Sequence, residues 1–412
     1  MYDVTTFQIE LDETVKENEF FQSLNCITIC KPEIFKYAIM MWEVPTHIKE
    51  SDFNYLQSKI PGLELLISDH IRFYDNRIEN LSKDDRVKKI ISEAIGVGIG
   101  LKYSSELLNA SPNKFKKIGA PEKGKYLDYS TIVDNKEFEI ETKGTVSKYY
   151  STFKKDILAK KNDCSLKVVY QRFGTISMYN NAGETSNSKC VIVDDPPSNS
   201  TIKVDDTFET QLLSYAVFLS YILDSKYYNK YIKPLKGNKR GKIRVNEKKF
   251  FGKYFLNGKQ FYGECFDYRL IRENIVISSF HENALGEIFD KVTKAKGQTK
   301  FFIGIEESVI NSINKREVDI LKNYKLTNHL EEGEGYTRFL DQDGILIVKS
   351  MAGGDLQLEK IFTEEEVKKR LGFHLSFLRG KPHKCNAPCK SRLIKGKPCD
   401  KLTYRRNCHF HR

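Results

Sequence analysis

The chain has 412 residues, of which 40% are apolar and 12% aromatic, and 67 Lys and Arg against 55 Asp and Glu give it a formal charge of +12. This length and apolar content predict two or three domains with packed cores. No apolar run is long enough to cross a bilayer, and the acidic N-terminus lacks the basic and apolar stretches of a signal peptide. We therefore expect a cytoplasmic protein with no membrane partner.

The positive charge is concentrated in two blocks. Residues 226–253 carry eleven Lys and Arg against one Glu, residues 379–412 carry eleven against one Asp, and the remainder therefore sums to −8. Basic blocks interspersed with Tyr, Phe and Gly are typical of nucleic-acid-binding proteins, so we expect a nucleic acid as the partner. A solvated basic loop and tail are the alternative, and a homo-oligomer or a regulatory partner is left open.

Residues 1–84 mix strand-like and helical patterns without a motif and are interpreted as an N-terminal domain. Helical periodicity then runs through residues 85–110, interrupted by Gly96, Gly98 and Gly100. These glycines either weaken the helix or let a neighbouring element approach closely.

The next hundred residues predict an α/β unit. Strand-like runs at 126–133 and 137–145 flank the turn-like Asp134-Asn135-Lys136 and predict an antiparallel hairpin. A helix is predicted over 148–161, followed by strands at 166–172 and 189–194.

The second strand of the hairpin, EFEIETKG, has an unusual alternation. Its apolar face carries Phe138 and Ile140, while the opposite face carries a row of charged residues, namely Glu137, Glu139, Glu141 and Lys143. That row faces either water or a metal ion and a phosphate. Like charges at alternate positions repel one another, which disfavours a plain exposed face.

A hairpin closing at 134–136 brings Asp128 on the first strand close to Glu141 on the second. Two carboxylates on adjacent strands suit Mg²⁺ or Mn²⁺, which take hard oxygen ligands. Such a metal polarises a phosphate and activates water, and Lys143 could orient or help deprotonate that water and could offset the developing charge. Glu93, on the preceding helix, is the candidate third carboxylate.

These residues resemble the PD-(D/E)xK superfamily of metal-dependent nucleases, with Leu127-Asp128 in place of Pro-Asp and Glu141-Thr142-Lys143 as the second motif. The resemblance covers residues 85–200. It implies a restriction-endonuclease-like core with a central mixed sheet flanked by helices, Asp128 and Glu141 as metal ligands, and Lys143 as a catalytic residue. Lys160 or Gln171 could be the auxiliary polar residue found in some members, and Glu139 has no assigned role.

The C-terminal tail contains four of the nine cysteines. Cys389, Cys399, Cys408 and His411 form a Cys-x9-Cys-x8-Cys-x2-His pattern that predicts a structural zinc site in a small finger. Cys385 is an alternative to Cys389, and His383 and His409 are rival ligands. Few apolar residues are present, so this segment would depend on the metal to fold.

The sequence thus predicts a mixed α/β (α+β) protein. Its predicted parts are an N-terminal domain (1–84), a nuclease core (85–200), a helical and α/β extension (201–350), a linker with a short helix (351–378) and a zinc-binding tail (379–412). The predicted function is Mg²⁺-dependent endonucleolytic cleavage of DNA in prokaryotic restriction or antiphage defence. The alternatives are a non-catalytic nucleic-acid-binding protein, or a nuclease acting on RNA or branched DNA.

Overall fold

The computed structural model describes residues 4–44, 47–49, 53–120, 125–163, 169–194, 207–223, 229, 232–233, 252–267, 300–350, 358–359, 383–384 and 402–403. Within these ranges the chain forms two seven-stranded sheets, a three-stranded sheet and a two-stranded sheet, with helices packed between and beside them. The predicted mixed α/β class is therefore confirmed. None of the helices in these ranges combines the length and the apolar character needed to cross a membrane.

The first sheet is built from seven strands that are distributed through residues 4–194. Its strands are β1 (Val4–Leu11), β2 (Cys26–Cys30), β5 (Lys116–Lys117), β6 (Tyr129–Val133), β7 (Lys136–Thr145), β8 (Gln171–Met178) and β10 (Lys189–Asp194), in the order β2-β1-β10-β8-β7-β6-β5. The β7–β8 and β1–β10 pairs are parallel and the others antiparallel, so the sheet is mixed. The predicted N-terminal domain thus contributes β1 and β2 to the same sheet as the predicted nuclease core.

Helices cover both faces of this sheet. On one face lie α1 (Lys31–Trp42) and α3 (Asp85–Leu107), and on the other lies α4 (Ser151–Asp163). Phe138 and Ile140 belong to the large core formed with α1 and α3, whereas Ile157 of α4 packs with Ile176 and Val191 in a separate cluster. The sheet is therefore buried on both sides around β7.

A small sheet joins β3 (Ile71–Tyr74), β4 (Arg77–Asn80) and β9 (Asn180–Asn181), and α2 (Phe53–His70) leads into it. Helix α5 (Thr207–Ile222) follows the first sheet and lies in the main core. The strand predicted at 166–172 is displaced: β8 begins at Gln171, because its parallel ladder with β7 starts where the N–H of Tyr170 donates to the carbonyl of Glu137.

The second large sheet is antiparallel throughout. Its strands are β11 (Gly252–Leu256), β12 (Lys259–Asp267), β13 (Lys300–Glu306), β14 (His329–Gly333), β15 (Tyr336–Leu340), β16 (Ile345–Ser350) and β17 (Leu358–Glu359), with α6 (Glu307–Lys315) and α7 (Val318–Asn323) after β13. The turn at Asp341–Gly344 connects β15 to β16. A short pair, β18 (His383–Lys384) and β19 (Leu402–Thr403), completes the described strands.

A buried ionic contact joins the two large sheets. Lys36 of α1 pairs with Asp341 and Asp343 in the β15–β16 turn, and its ammonium lies 2.8 Å from Asp343 Oδ2. The same Asp343 oxygen accepts a hydrogen bond from the N–H of Asn113, and the Tyr215 hydroxyl donates to the Asp343 carbonyl. The second sheet is thus anchored to helices of the first through fully buried polar groups.

Candidate active site on strand β7

The β6–β7 hairpin brings Asp128 next to Glu141. Its two-residue turn, Asp134 and Asn135, has φ values of 49° and 59°, which a tight hairpin requires and which Asp and Asn tolerate. Tyr129 pairs with Ile140, and one position further the N–H of Asp128 donates to the Ile140 carbonyl at 3.1 Å. Asp128 therefore lies across the strand pair from Glu141, on the same face of the sheet.

Asp128 is held in place by the partner strand. Its Oδ2 accepts the N–H of Thr142 at 3.1 Å and the Thr142 hydroxyl at 3.4 Å. The side chain is half-buried, so one side of the carboxylate is fixed by backbone while the residue stays partly open to solvent.

Glu141 is the most deeply buried member of the group, with 0% of its side chain exposed. Its Oε1 lies 2.6 Å from Lys143 Nζ and 2.5 Å from Lys160 Nζ. Its Oε2 is buried and has no hydrogen-bond partner. Burial, followed by the charge of Asp128, raises the pKa of Glu141, and the two lysines oppose that shift.

Lys143 remains a cation in this setting. Burial lowers the pKa of Lys143, but the carboxylates of Glu141, Asp128 and Asp156 outweigh burial and raise it above its usual value. Asp156 Oδ2 on α4 lies 3.4 Å from the ammonium. A protonated lysine cannot accept a proton from water, but it can stabilise negative charge. The protonated state therefore favours the second of these two roles for Lys143.

Helix α4 can approach Glu141 because strand β8 has a glycine, Gly174, next to Glu141. Gly174 pairs with Glu141, and a Cβ at Gly174 would lie 2.6 Å from Ile157 Cγ2. The missing side chain lets α4 pack against the sheet at Ile157, and Lys160 follows one helical turn later on the same side. Lys160, named from the sequence as an auxiliary residue, thereby joins the cluster, whereas Gln171 pairs with Phe138 on the other face.

Glycines also set the position of α3 on the opposite face. A Cβ at Gly96 would lie 2.5 Å from the backbone N of Gly144 and 2.6 Å from the carbonyl C of Lys143. A Cβ at Gly98 would lie 3.1 Å from Ile34 of α1. Helix α3 is continuous through Gly96, Gly98 and Gly100. The structure therefore shows that these glycines let neighbouring elements approach closely, and it does not show that they interrupt the helix.

Glu93, the predicted third carboxylate, lies on α3 and is exposed. It is near enough to Tyr129 that, after burial and Asp128, its charge helps to raise the pKa of that phenol. However, within the described ranges no three His, Cys, Asp or Glu side chains are grouped so as to hold a metal. The structure thus assembles Asp128, Glu141 and Lys143, and a role for Glu93 as a ligand stays a prediction.

Glu139, which the sequence left unassigned, has a structural partner. Its Oε2 accepts a hydrogen bond from Arg172 Nε at 2.7 Å, and the two residues are register partners in the β7–β8 ladder. Glu139, two residues before Glu141 on the same face of β7, is therefore neutralised by Arg172. Neither Arg172 nor Asp156 carried a motif signal, because each matters through a contact that only the folded sheet creates.

The predicted zinc ligands lie outside the described residues. This applies to Cys385, Cys389, Cys399, Cys408, His409 and His411, whereas the rival ligand His383 lies on β18, where it pairs with Thr403 of β19.

We compared the chain with models of protein families, with curated proteins and with solved structures, and none of the three comparisons produced a match. The likeness to the PD-(D/E)xK nucleases therefore rests on the residues and elements described above.

Proposed function

We propose that the protein is a metal-dependent endonuclease that hydrolyses phosphodiester bonds in DNA, with a restriction-endonuclease-like core in which Asp128, Glu141 and Lys143 form the active site. The observation that supports this most directly is the Glu141 carboxylate. It is fully buried, faces Asp128, and has one oxygen with no hydrogen-bond partner. A buried acceptor that lacks a partner costs free energy unless something binds it.

The donor set fits a divalent cation such as Mg²⁺ or Mn²⁺. Two carboxylates are sufficient, because Mg²⁺ is usually held by one or two of them and keeps several waters. Asp128 and Glu141 would hold the ion, which when bound polarises the phosphate and lowers the pKa of a water molecule. Glu93 is retained as a third ligand in the proposal.

The protein's own residues would orient the carboxylate, stabilise the developing charge and bind the DNA. Asp128 is oriented by the backbone of Thr142, which fixes the direction of its carboxylate. Lys143 extends from the same face as Glu141, is about one-quarter exposed, and carries a positive charge that would stabilise the negative charge developing on the attacked phosphate. The basic blocks at 226–253 and 379–412 would bind the DNA backbone, and the zinc-binding tail would give the second block a fixed shape.

The test is cleavage of plasmid DNA with Mg²⁺ or with EDTA. We expect cutting only with the metal, and a loss of about 100-fold or more in Glu141→Gln, Asp128→Asn and Lys143→Met. Glu139→Gln is the matched control, because an amide oxygen can still accept from Arg172, and it should keep activity within a few-fold. Cutting that survives EDTA or Glu141→Gln would refute the proposed site.

Substrate class and biological role are part of the proposal. Branched DNA and RNA should be tested beside the plasmid, and tight, salt-dependent binding without cleavage of any of them would favour the non-catalytic alternative. The role in restriction or antiphage defence is proposed by analogy with the resembling family.

A further inference from the structure

Two lysines share one oxygen of Glu141. Lys143 Nζ and Lys160 Nζ lie 2.6 and 2.5 Å from Oε1, while Oε2 of the same carboxylate has no partner. Two ammonium groups this close repel each other, and both oppose the approach of any further cation to Glu141. The arrangement therefore bears directly on how a metal could enter the site.

The two lysines are not equivalent. Lys143 also pairs with Asp156 at 3.4 Å and is anchored on the interior strand β7. Lys160 makes its ion pair with Glu141 and reaches it from helix α4. The two side chains are equally exposed, at 24% and 23%, so they differ in the pairing of Lys143 with Asp156 and in the elements that carry them. A long, partly exposed side chain on a surface helix can change direction with little change in the backbone. Lys160 is therefore the lysine that can leave Glu141 most easily.

We propose that Lys160 is an exchangeable counterion, which neutralises Glu141 while no metal is bound and turns to a phosphate of the nucleic acid when a divalent cation binds that carboxylate. This inference rests on the proposed function and deepens it. It makes Lys160 a positioning residue that sets metal affinity, in contrast to Lys143, which stays in place. The energetic reason is that the metal must replace a positive charge already present at Glu141, so part of its binding free energy is offset by displacing Lys160.

Metal affinity in the absence of DNA separates this role from a merely structural one. We expect Lys160→Met and Lys160→Gln to lower the Kd for Mn²⁺, measured by calorimetry on the full chain, by about tenfold, which corresponds to about 1.4 kcal/mol. Lys155→Met is the matched control, since it removes the same charge from an exposed position on α4 and should leave the Kd within about twofold. Lys160→Arg keeps the charge and should bind Mn²⁺ as weakly as the unmodified protein.

The second readout is DNA affinity in Ca²⁺. If Lys160 turns to a phosphate, Lys160→Met should bind duplex DNA several-fold more weakly, with a salt dependence reduced by about one phosphate contact. This loss should occur although the same variant binds metal more tightly.

The outcomes distinguish the two proposals. Mn²⁺ binding that is absent, or that is unchanged in Glu141→Gln, overturns the proposed active site and this inference with it. Binding that depends on Glu141 but has the same Kd in Lys160→Met, Lys160→Gln and Lys155→Met leaves the active site standing and overturns the counterion role alone. Tighter metal binding together with undiminished DNA affinity overturns the proposed transfer of Lys160 to phosphate.

Discussion

A methyl group at Gly96 should cost stability even though it improves helix propensity. Its Cβ would lie 2.5 Å from the backbone N of Gly144, whereas ordinary contacts at such positions are 3.4–4 Å. Helix α3 would have to move from β7 by about 1 Å, because the obstructing atoms are backbone and cannot rotate away. Overpacking of this kind costs about 1–3 kcal/mol, against about 1 kcal/mol gained when Gly becomes Ala inside a helix.

Gly62 supplies the matched control. It lies inside α2, and a Cβ there would meet nothing within 4 Å. Gly62→Ala should therefore show the propensity gain alone and stabilise the protein by up to about 1 kcal/mol. The difference between the two variants isolates the packing cost, which we expect to be about 1–3 kcal/mol in urea unfolding followed by circular dichroism. Equal stabilities of Gly96→Ala and Gly62→Ala would refute the close packing of α3 on β7.

Two further predictions concern α4 and the contact between the large sheets. Gly174→Ala should destabilise the protein by about 1 kcal/mol, because the new methyl group would contact Ile157. Ile157→Ala should cost less stability in the Gly174→Ala background than in the unmodified protein, because that methyl group fills part of the vacated space. Additive effects in this double-mutant cycle would contradict the prediction. Burial raises the pKa of Asp343 from 3.8 to about 6, against the opposing charge of Lys36. Between pH 4 and pH 6 the folded state therefore holds a proton that the unfolded state has released. The contribution of this group to the free energy of unfolding should fall by up to about 3 kcal/mol over that range as the pH rises. Asp343→Asn should lose this decline in urea titrations at several pH values, and an unchanged pH slope would show that the group does not titrate there.

Local sequence signals predicted the part of the site that depends on neighbouring residues. The Asp134-Asn135 turn fixes the hairpin register, and that register alone places Asp128 across from Glu141. The apolar alternation also correctly assigned Phe138 and Ile140 to the core. These features follow from turn chemistry and a side-chain period of two, both of which act over a few residues.

Long-range pairing determined what the sequence could not predict. Strand β1 lies beside β10, with Gln8 opposite Lys189, and no local pattern encodes that partnership. Lys36 and Asp343 are likewise 307 positions apart in the chain. The alternation of β7 predicts that its charged face meets either water or a metal ion, but it does not predict that α4 packs on part of that face or that Arg172 neutralises Glu139 there.

The charge cluster around Glu141 is difficult to explain by stability alone. Burying a carboxylate with its counterions gives little net stabilisation, and apolar residues of similar size commonly serve a sheet interior as well or better. Ile176 and Val191 pack on this same face, so an apolar cluster already surrounds the charges. Glu139 is fully compensated by Arg172, whereas Glu141 has two ammonium groups on one oxygen and none on the other. An asymmetric, incompletely satisfied carboxylate beside a second, half-open one is typical of a site that binds something, and its raised pKa agrees with that reading.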